Sequence, residues 1–75
     1  MTACRVECYA GYKAGERPLR FHLGDRTYEV REIEDRWYDP AAIYFKVKAD
    51  DGNVYILRQS LEGEWTLAAF RHRSA

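Results

Sequence analysis

The sequence predicts a small all-β domain, and three observations carry that reading. Apolar and polar residues alternate in run after run, at the period of two that marks a half-buried strand. Asp50-Asp51-Gly52 and Leu61-Glu62-Gly63 each place glycine third in a three-residue loop, the form of a type I turn closed by a glycine bulge. No segment keeps a helical period for three turns, because glycine or proline interrupts every candidate. Together these imply five or six short antiparallel strands in meander order, curled into an SH3-like half-barrel.

Arg5 to Tyr12 opens the meander, with Val6, Cys8 and Ala10 alternating against Arg5, Glu7 and Tyr9. Gly11 to Gly15 reads as a loop, and Pro18 can open the next strand because proline is tolerated at a strand's first residue. Leu19 to Leu23 follows. Gly24-Asp25, with glycine first in a two-residue loop, has the type II′ form and joins it to Arg26 to Ile33. That register pairs Phe21 with Tyr28 and Leu19 with Val30 on one face, and Arg20 with Glu29 and His22 with Thr27 on the other. A bulge near Arg31-Glu32 restores the alternation before Ile33. Glu34 to Ala42, with the Asp39-Pro40 breaker, is expected as a loop or single turn whose Trp37 plugs one end of the core. Ile43 to Ala49, Val54 to Gln59 and Glu64 to Phe70 complete the strands, and 71–75 is expected to fray.

Seventy-five residues allow one domain, close to the size at which a single core just outweighs conformational entropy. Twelve basic and twelve acidic residues cancel, so the whole molecule exerts no long-range pull on nucleic acid or an anionic membrane, and any electrostatic function is local. No apolar run approaches the ~20 residues of a membrane span, and residues 1–5 lack a leader's apolar stretch, so a cytoplasmic protein is expected. On one strand Cys4 and Cys8 would stand ~13 Å apart, too far for a disulfide or a shared metal ion. They are expected as reduced thiols. No metal site or cofactor is expected, since zinc would need both thiols plus His22 or His72 in a spacing unlike known ligand patterns.

The two glycine turns fix which side chains face outward. Counting from Asp50 to Gly52 and from Leu61 to Gly63 puts Phe45, Val47, Tyr55, Leu57, Trp65 and Leu67 on one face as core. The opposite face then carries the rows Tyr44-Arg58-Thr66, Lys46-Ile56-Ala68 and Lys48-Val54-Phe70, which contain no carboxylate. Arg71 and Arg73 extend the same cationic character. A two-residue I′ turn at Asp51-Gly52 is the alternative; it would bury Val54 and Ile56 and turn Tyr55 and Leu57 outward. The cationic face itself has two readings, a contact surface or lysine stems that merely shield apolar surface and protect sheet edges.

Other constellations point to structure rather than chemistry. Glu32, Glu34, Asp35 and Asp39 need not converge on a metal, and Asp50-Asp51 suits turn capping. His22 is expected at the surface and His72 in the tail. Ser60 and Ser74 lack a nucleophile elbow, and no phosphate-cradling glycine loop is present, so enzyme activity is not expected.

Arg17-Pro18-Leu19-Arg20-Phe21, Gly24-Asp25-Arg26-Thr27-Tyr28-Glu29-Val30, Trp37, Phe45 to Val47 and Trp65-Thr66-Leu67 form a series of short patterns over about residues 17 to 70. In these the chain resembles an uncharacterised family of short bacterial proteins with a Pro-x-x-Phe segment, a Gly-x-Arg-x-Tyr-x-Val hairpin and a downstream Trp. The resemblance implies a nucleic-acid or repair-complex setting and transfers no catalytic or binding residue. The residues themselves suggest a non-enzymatic binding module. Lys46, Lys48 and Arg58 would meet phosphates or carboxylates, Tyr44 and Phe70 would stack, and Ile56 would sit at the centre. Nucleic-acid contact by so few cations would be weak and salt-sensitive. The competing expectation is a protein partner, or a weak homodimer, on the same face.

Overall fold

The computed structural model describes residues 2–9 and 17–71. Its strands are β1 (Thr2–Ala3), β2 (Arg5–Tyr9), β3 (Arg17–Leu23), β4 (Arg26–Asp39), β5 (Ala42–Ala49), β6 (Val54–Ser60) and β7 (Trp65–Arg71). β1 and β2 are two halves of one strand broken at Cys4, so six antiparallel strands form the all-β, SH3-like half-barrel. The order β1-β7-β6-β5-β4-β3-β2 is a meander, and its two ends meet in the first strand. Thr2 and Ala3 pair with Leu67 and Thr66, whereas Arg5 onward pairs with β3. At the break the Cys4 amide donates to the Trp65 carbonyl at 3.2 Å, keeping the seam fastened. Sequence reading found only the second half of this strand; residues 10–16, where its end and the following loop were expected, lie outside the described residues.

Each hairpin follows from its turn. Gly24 has φ +61° and among the described residues no non-glycine has positive φ, which excludes a I′ turn at Gly24-Asp25 and agrees with II′. The resulting register pairs Phe21 with Tyr28, Arg20 with Glu29 and His22 with Thr27, as counted from the sequence. At 50–52 the Gly52 amide donates to the Ala49 carbonyl and the Ala49 amide to the Asn53 carbonyl, both at 3.0 Å. Gly52 and Gly63 stand at φ +86° and +92°, the left-handed bulge position. Lys46 therefore opposes Ile56 and Val47 opposes Tyr55, and the I′ alternative is excluded.

The core lies on the face that these turns select. Phe21, Phe45, Val47, Ala49, Tyr55 and Leu57 are buried together, with Val6, Leu23, Tyr28, Val30, Ile33, Ile43, Trp65 and Leu67 packed against them. Aromatic edges hold the centre, with Phe21 to Tyr55 at 4.9 Å, Tyr28 to Tyr55 at 5.3 Å and Phe45 to Trp65 at 5.5 Å between ring centroids. The Tyr55 hydroxyl leaves this cluster to donate to Asp51 at 2.6 Å, so the barrel wall and the 50–52 turn brace each other.

The largest departure is β4. Residues 34–39 were expected as a loop or single turn, yet β4 continues to Asp39 and pairs with β5 along its length, with register shifts between Val30 and Glu32 and between Ile33 and Asp35. The Asp39-Pro40 breaker acts one step later than expected, as the hairpin turn itself. Asp39 Oδ1 accepts the amides of Ala41 at 2.8 Å and Ala42 at 2.7 Å, which closes that turn. Trp37 is consequently a strand residue opposite Tyr44, 37% exposed, and not a plug of the core. Arg71 ends β7 in regular pairing with Val54 rather than fraying, while 72–75 lie outside the described residues.

Candidate interaction face

On the outer side of β4-β5-β6-β7 the strand registers arrange side chains in rows across four strands. One row runs Glu32, Lys48, Val54, Arg71; the next Asp35, Lys46, Ile56, Ala69; the third Trp37, Tyr44, Arg58, Thr66. Tyr44, Lys46, Lys48, Ile56 and Arg58 are therefore gathered on one face as expected, each half-buried. Two corrections follow from the same registers.

First, the expected rows Lys46-Ile56-Ala68 and Lys48-Val54-Phe70 are out of step at β7. A register shift between Ile56 and Leu57 makes Ala68 the extra residue, so Ala69 opposes Ile56, Arg71 opposes Val54, and Phe70 opposes Tyr55. Phe70 thus belongs to the Tyr55 row, its ring 5.0 Å from that of Tyr55, although it is 51% exposed and still borders the outer face. Val54, expected outside, keeps its place in the outer row but is only 4% exposed.

Second, the face is not free of carboxylates. Because β4 is a strand here, it sets Glu32 opposite Lys48 and Asp35 opposite Lys46. Tyr44 donates its hydroxyl to Asp39 at 2.9 Å. The Ala41 amide, this hydroxyl and the nearby Arg58 charge hold the Asp39 carboxyl below the usual carboxylate range. Trp37 lies flat against Tyr44 with ring centroids 5.4 Å apart and planes 2° from parallel. The face is thus mixed in sign, with acids along β4 and cations along β5, β6 and β7.

A groove of about 420 Å³ crosses this face. Val54, Ile56, Ala69 and Lys46 line its middle, Trp37 and Asp35 one side, and Phe70 and Arg71 the other. The signal for Trp37 and Asp35 was present in the sequence: a two-residue turn at Pro40-Ala41 counts Trp37 onto Tyr44 and Asp35 onto Lys46 directly, whereas Glu32 reaches Lys48 only through the register shift between Ile33 and Asp35.

A second, more open groove of about 740 Å³ lies at the Cys4 break, between β2, β3 and β7. Two of its polar side chains, Glu7 and His22, are committed to structure. Glu7 accepts from Arg20 at 2.9 Å and from His22 at 2.6 Å, while Arg20 also donates to Glu29 at 2.8 Å and His22 contacts Thr27 at 3.0 Å. The His22 and Arg20 hydrogen bonds hold the Glu7 carboxyl below its ordinary range. Burial pushes the Cys4 thiol up, away from a reactive thiolate. Cys4 and Cys8 are both free thiols, and among the described residues no His, Cys, Asp or Glu side chains cluster in a metal-holding group. Among the described residues no helix is long and apolar enough to cross a membrane.

Compared with known proteins, the chain matches no family model, no curated protein and no solved structure. Its class is therefore given by architecture: a small all-β half-barrel with one mixed-charge, aromatic-edged outer face.

Proposed function

We propose that the protein is a non-enzymatic interaction module whose outer β4-β7 face docks a polypeptide. The observation that carries this reading is the groove centred on Ile56. Its middle sets the Lys46 side chain among apolar Val54, Ile56 and Ala69, its borders hold Trp37 and Phe70, and charges of both signs stand at the edges. Protein interfaces share that composition, an apolar centre enriched in aromatic residues within a polar rim. Nucleic-acid docking needs an excess of cations, because phosphate neutralisation supplies most of its affinity. Lys46 and Lys48 instead stand directly opposite Asp35 and Glu32, which reverses the preference that the sequence alone suggested. A cytoplasmic setting fits the two free thiols. The carboxyls held below their ordinary range have structural explanations: Glu7 fastens β2 to β3, and Asp39 and Asp51 cap turns.

The test is a selection of random short peptides on the wild-type protein, with Ile56→Asp as the counter-selecting bait and an oligothymidine as control. Enriched peptides should bind wild type at least about tenfold more tightly than Ile56→Asp, the loss of roughly 1.4 kcal/mol or more expected when a docked apolar group meets a carboxylate. Amide shifts with the oligonucleotide should be small even at low salt. Peptides indifferent to Ile56→Asp, or salt-sensitive oligonucleotide shifts centred on Lys46, Lys48 and Arg58, would overturn the reading.

A further inference from the structure

We infer that the occupant of this face is a second copy of the chain, docked face to face about a two-fold axis that runs parallel to the strands between β5 and β6. The inference rests on the docking reading above and adds the partner and the geometry. It comes from how charge and bulk are distributed across the rows.

Acids occupy one side of the face. Glu32 and Asp35 are on β4, while Lys46, Lys48, Arg58 and Arg71 are on β5, β6 and β7. An isologous pair must present the same patch to itself, so the axis decides which column meets which. An axis across the strands through the middle row would lay each column on itself, β4 on β4, bringing Asp35 onto Asp35, Lys46 onto Lys46 and Trp37 onto Glu32. An axis along the strands between β5 and β6 reverses the column order and keeps each row. It puts β4 of one copy over β7 of the other and β5 over β6.

Row by row, that arrangement is complementary. Glu32 meets Arg71 of the second copy, an opposite-charge pair, and Asp35 meets Ala69. Lys46 lies over Ile56 and Lys48 over Val54, so each lysine stem covers an apolar residue. Trp37, the bulkiest group on β4, comes over Thr66 beside Ala69, the small residues of β7, so height on one copy meets depth on the other. The groove bordered by Trp37 and Phe70 supplies the depth. An axis between β4 and β5 would set Glu32 on Lys48 and Asp35 on Lys46 but leave Phe70 and Arg71 beyond the contact, whereas the axis between β5 and β6 keeps the whole Ile56 groove inside it.

The experiment is sedimentation equilibrium of the full chain in wild type, Glu32→Arg, Arg71→Glu and the combined variant, each checked by circular dichroism for the folded sheet. Wild type should self-associate, more weakly as salt rises. Each single reversal puts like charges together and should weaken association about tenfold, and the combined variant should return to within about threefold of wild type, since the pair is restored with its signs exchanged. Additive losses in the combined variant, or singles that associate as wild type does, would overturn the geometry. A wild type that stays monomeric at millimolar concentration would overturn the inference outright. Selected peptides that still require Ile56 would then leave the docking face standing with a different occupant.

Discussion

Leu57 and Ile56 are chain neighbours on β6 with opposite fates, and truncating each in turn tests the sidedness from which the face is built. Leu57 is 0% exposed within the aromatic core, whereas Ile56 is half-buried in the outer groove. Removing three carbons from Leu57 forfeits about 2.4 kcal/mol of transfer free energy at roughly 0.8 per carbon, and the unfilled cavity brings the cost of Leu57→Ala to about 3 kcal/mol or more. Ile56→Ala removes as many carbons from a site that water already reaches in part, and should cost about 1 kcal/mol. A 75-residue chain has a total stability of only about 4–11 kcal/mol. Leu57→Ala therefore removes much of that stability, so Leu57→Val, at about 1 kcal/mol or less, accompanies it. Urea melts of the three variants, analysed at a common slope, give the comparison. Leu57→Ala should lose at least about 2 kcal/mol more than Ile56→Ala. Equal losses, or the reverse order, would mean that the strand faces are exchanged and that the Ile56 groove is core.

Four further outcomes follow. Trp37→Ala should cost less than about 1.5 kcal/mol, the worth of a stacked surface pair, whereas a core plug would cost about 3–5; thermal melts decide between them. Tyr55→Phe should cost about 1.5–3 kcal/mol, since the lost hydroxyl is the one that donates to the Asp51 carboxylate, and chemical denaturation measures it. Gly52→Ala should lose about 1–2 kcal/mol through backbone conformation alone, because φ is +86° and an added Cβ would meet nothing within 4 Å. Because Glu7 binds its proton less readily folded than unfolded, its contribution is complete above the ordinary carboxylate range and is lost as pH falls through and below it. Glu7→Gln should therefore flatten the acid limb of a plot of melting temperature against pH, with little change in slope above neutrality.

The parts of the fold legible in the sequence are those fixed by turn chemistry. Gly24, Gly52 and Gly63 each specify a left-handed backbone position, and from them the registers of β3-β4, β5-β6 and the first half of β6-β7 follow by counting. Tyr55 inside and Ile56 outside could be read for that reason. The errors arise where no glycine marks the backbone. Ala68 makes the extra residue in β7 without any compositional signal, and it moves Phe70 out of the row expected for it. Asp39-Pro40 marks a breaker, which made the whole of Glu34 to Ala42 read as a loop or single turn, yet proline inside a tight turn gives up a hydrogen bond that the turn does not need. That misreading hid Trp37 and Asp35, while Glu32 comes opposite Lys48 through a register shift between Ile33 and Asp35, and together they had made the face look purely cationic. Closure by β1 was invisible for another reason: two residues are too few to show alternation.

The most direct measurement is an isotope-filtered nuclear Overhauser experiment on a mixture of labelled and unlabelled chain at millimolar concentration, which reports only protons that touch across two molecules. Contacts should join the Trp37 ring to Thr66 and Ala69 of the other molecule, and Lys46 side-chain protons to Ile56. Intermolecular contacts confined to Cys4, Val6 and Trp65 at the barrel seam, or Trp37 touching its own counterpart, would contradict the account.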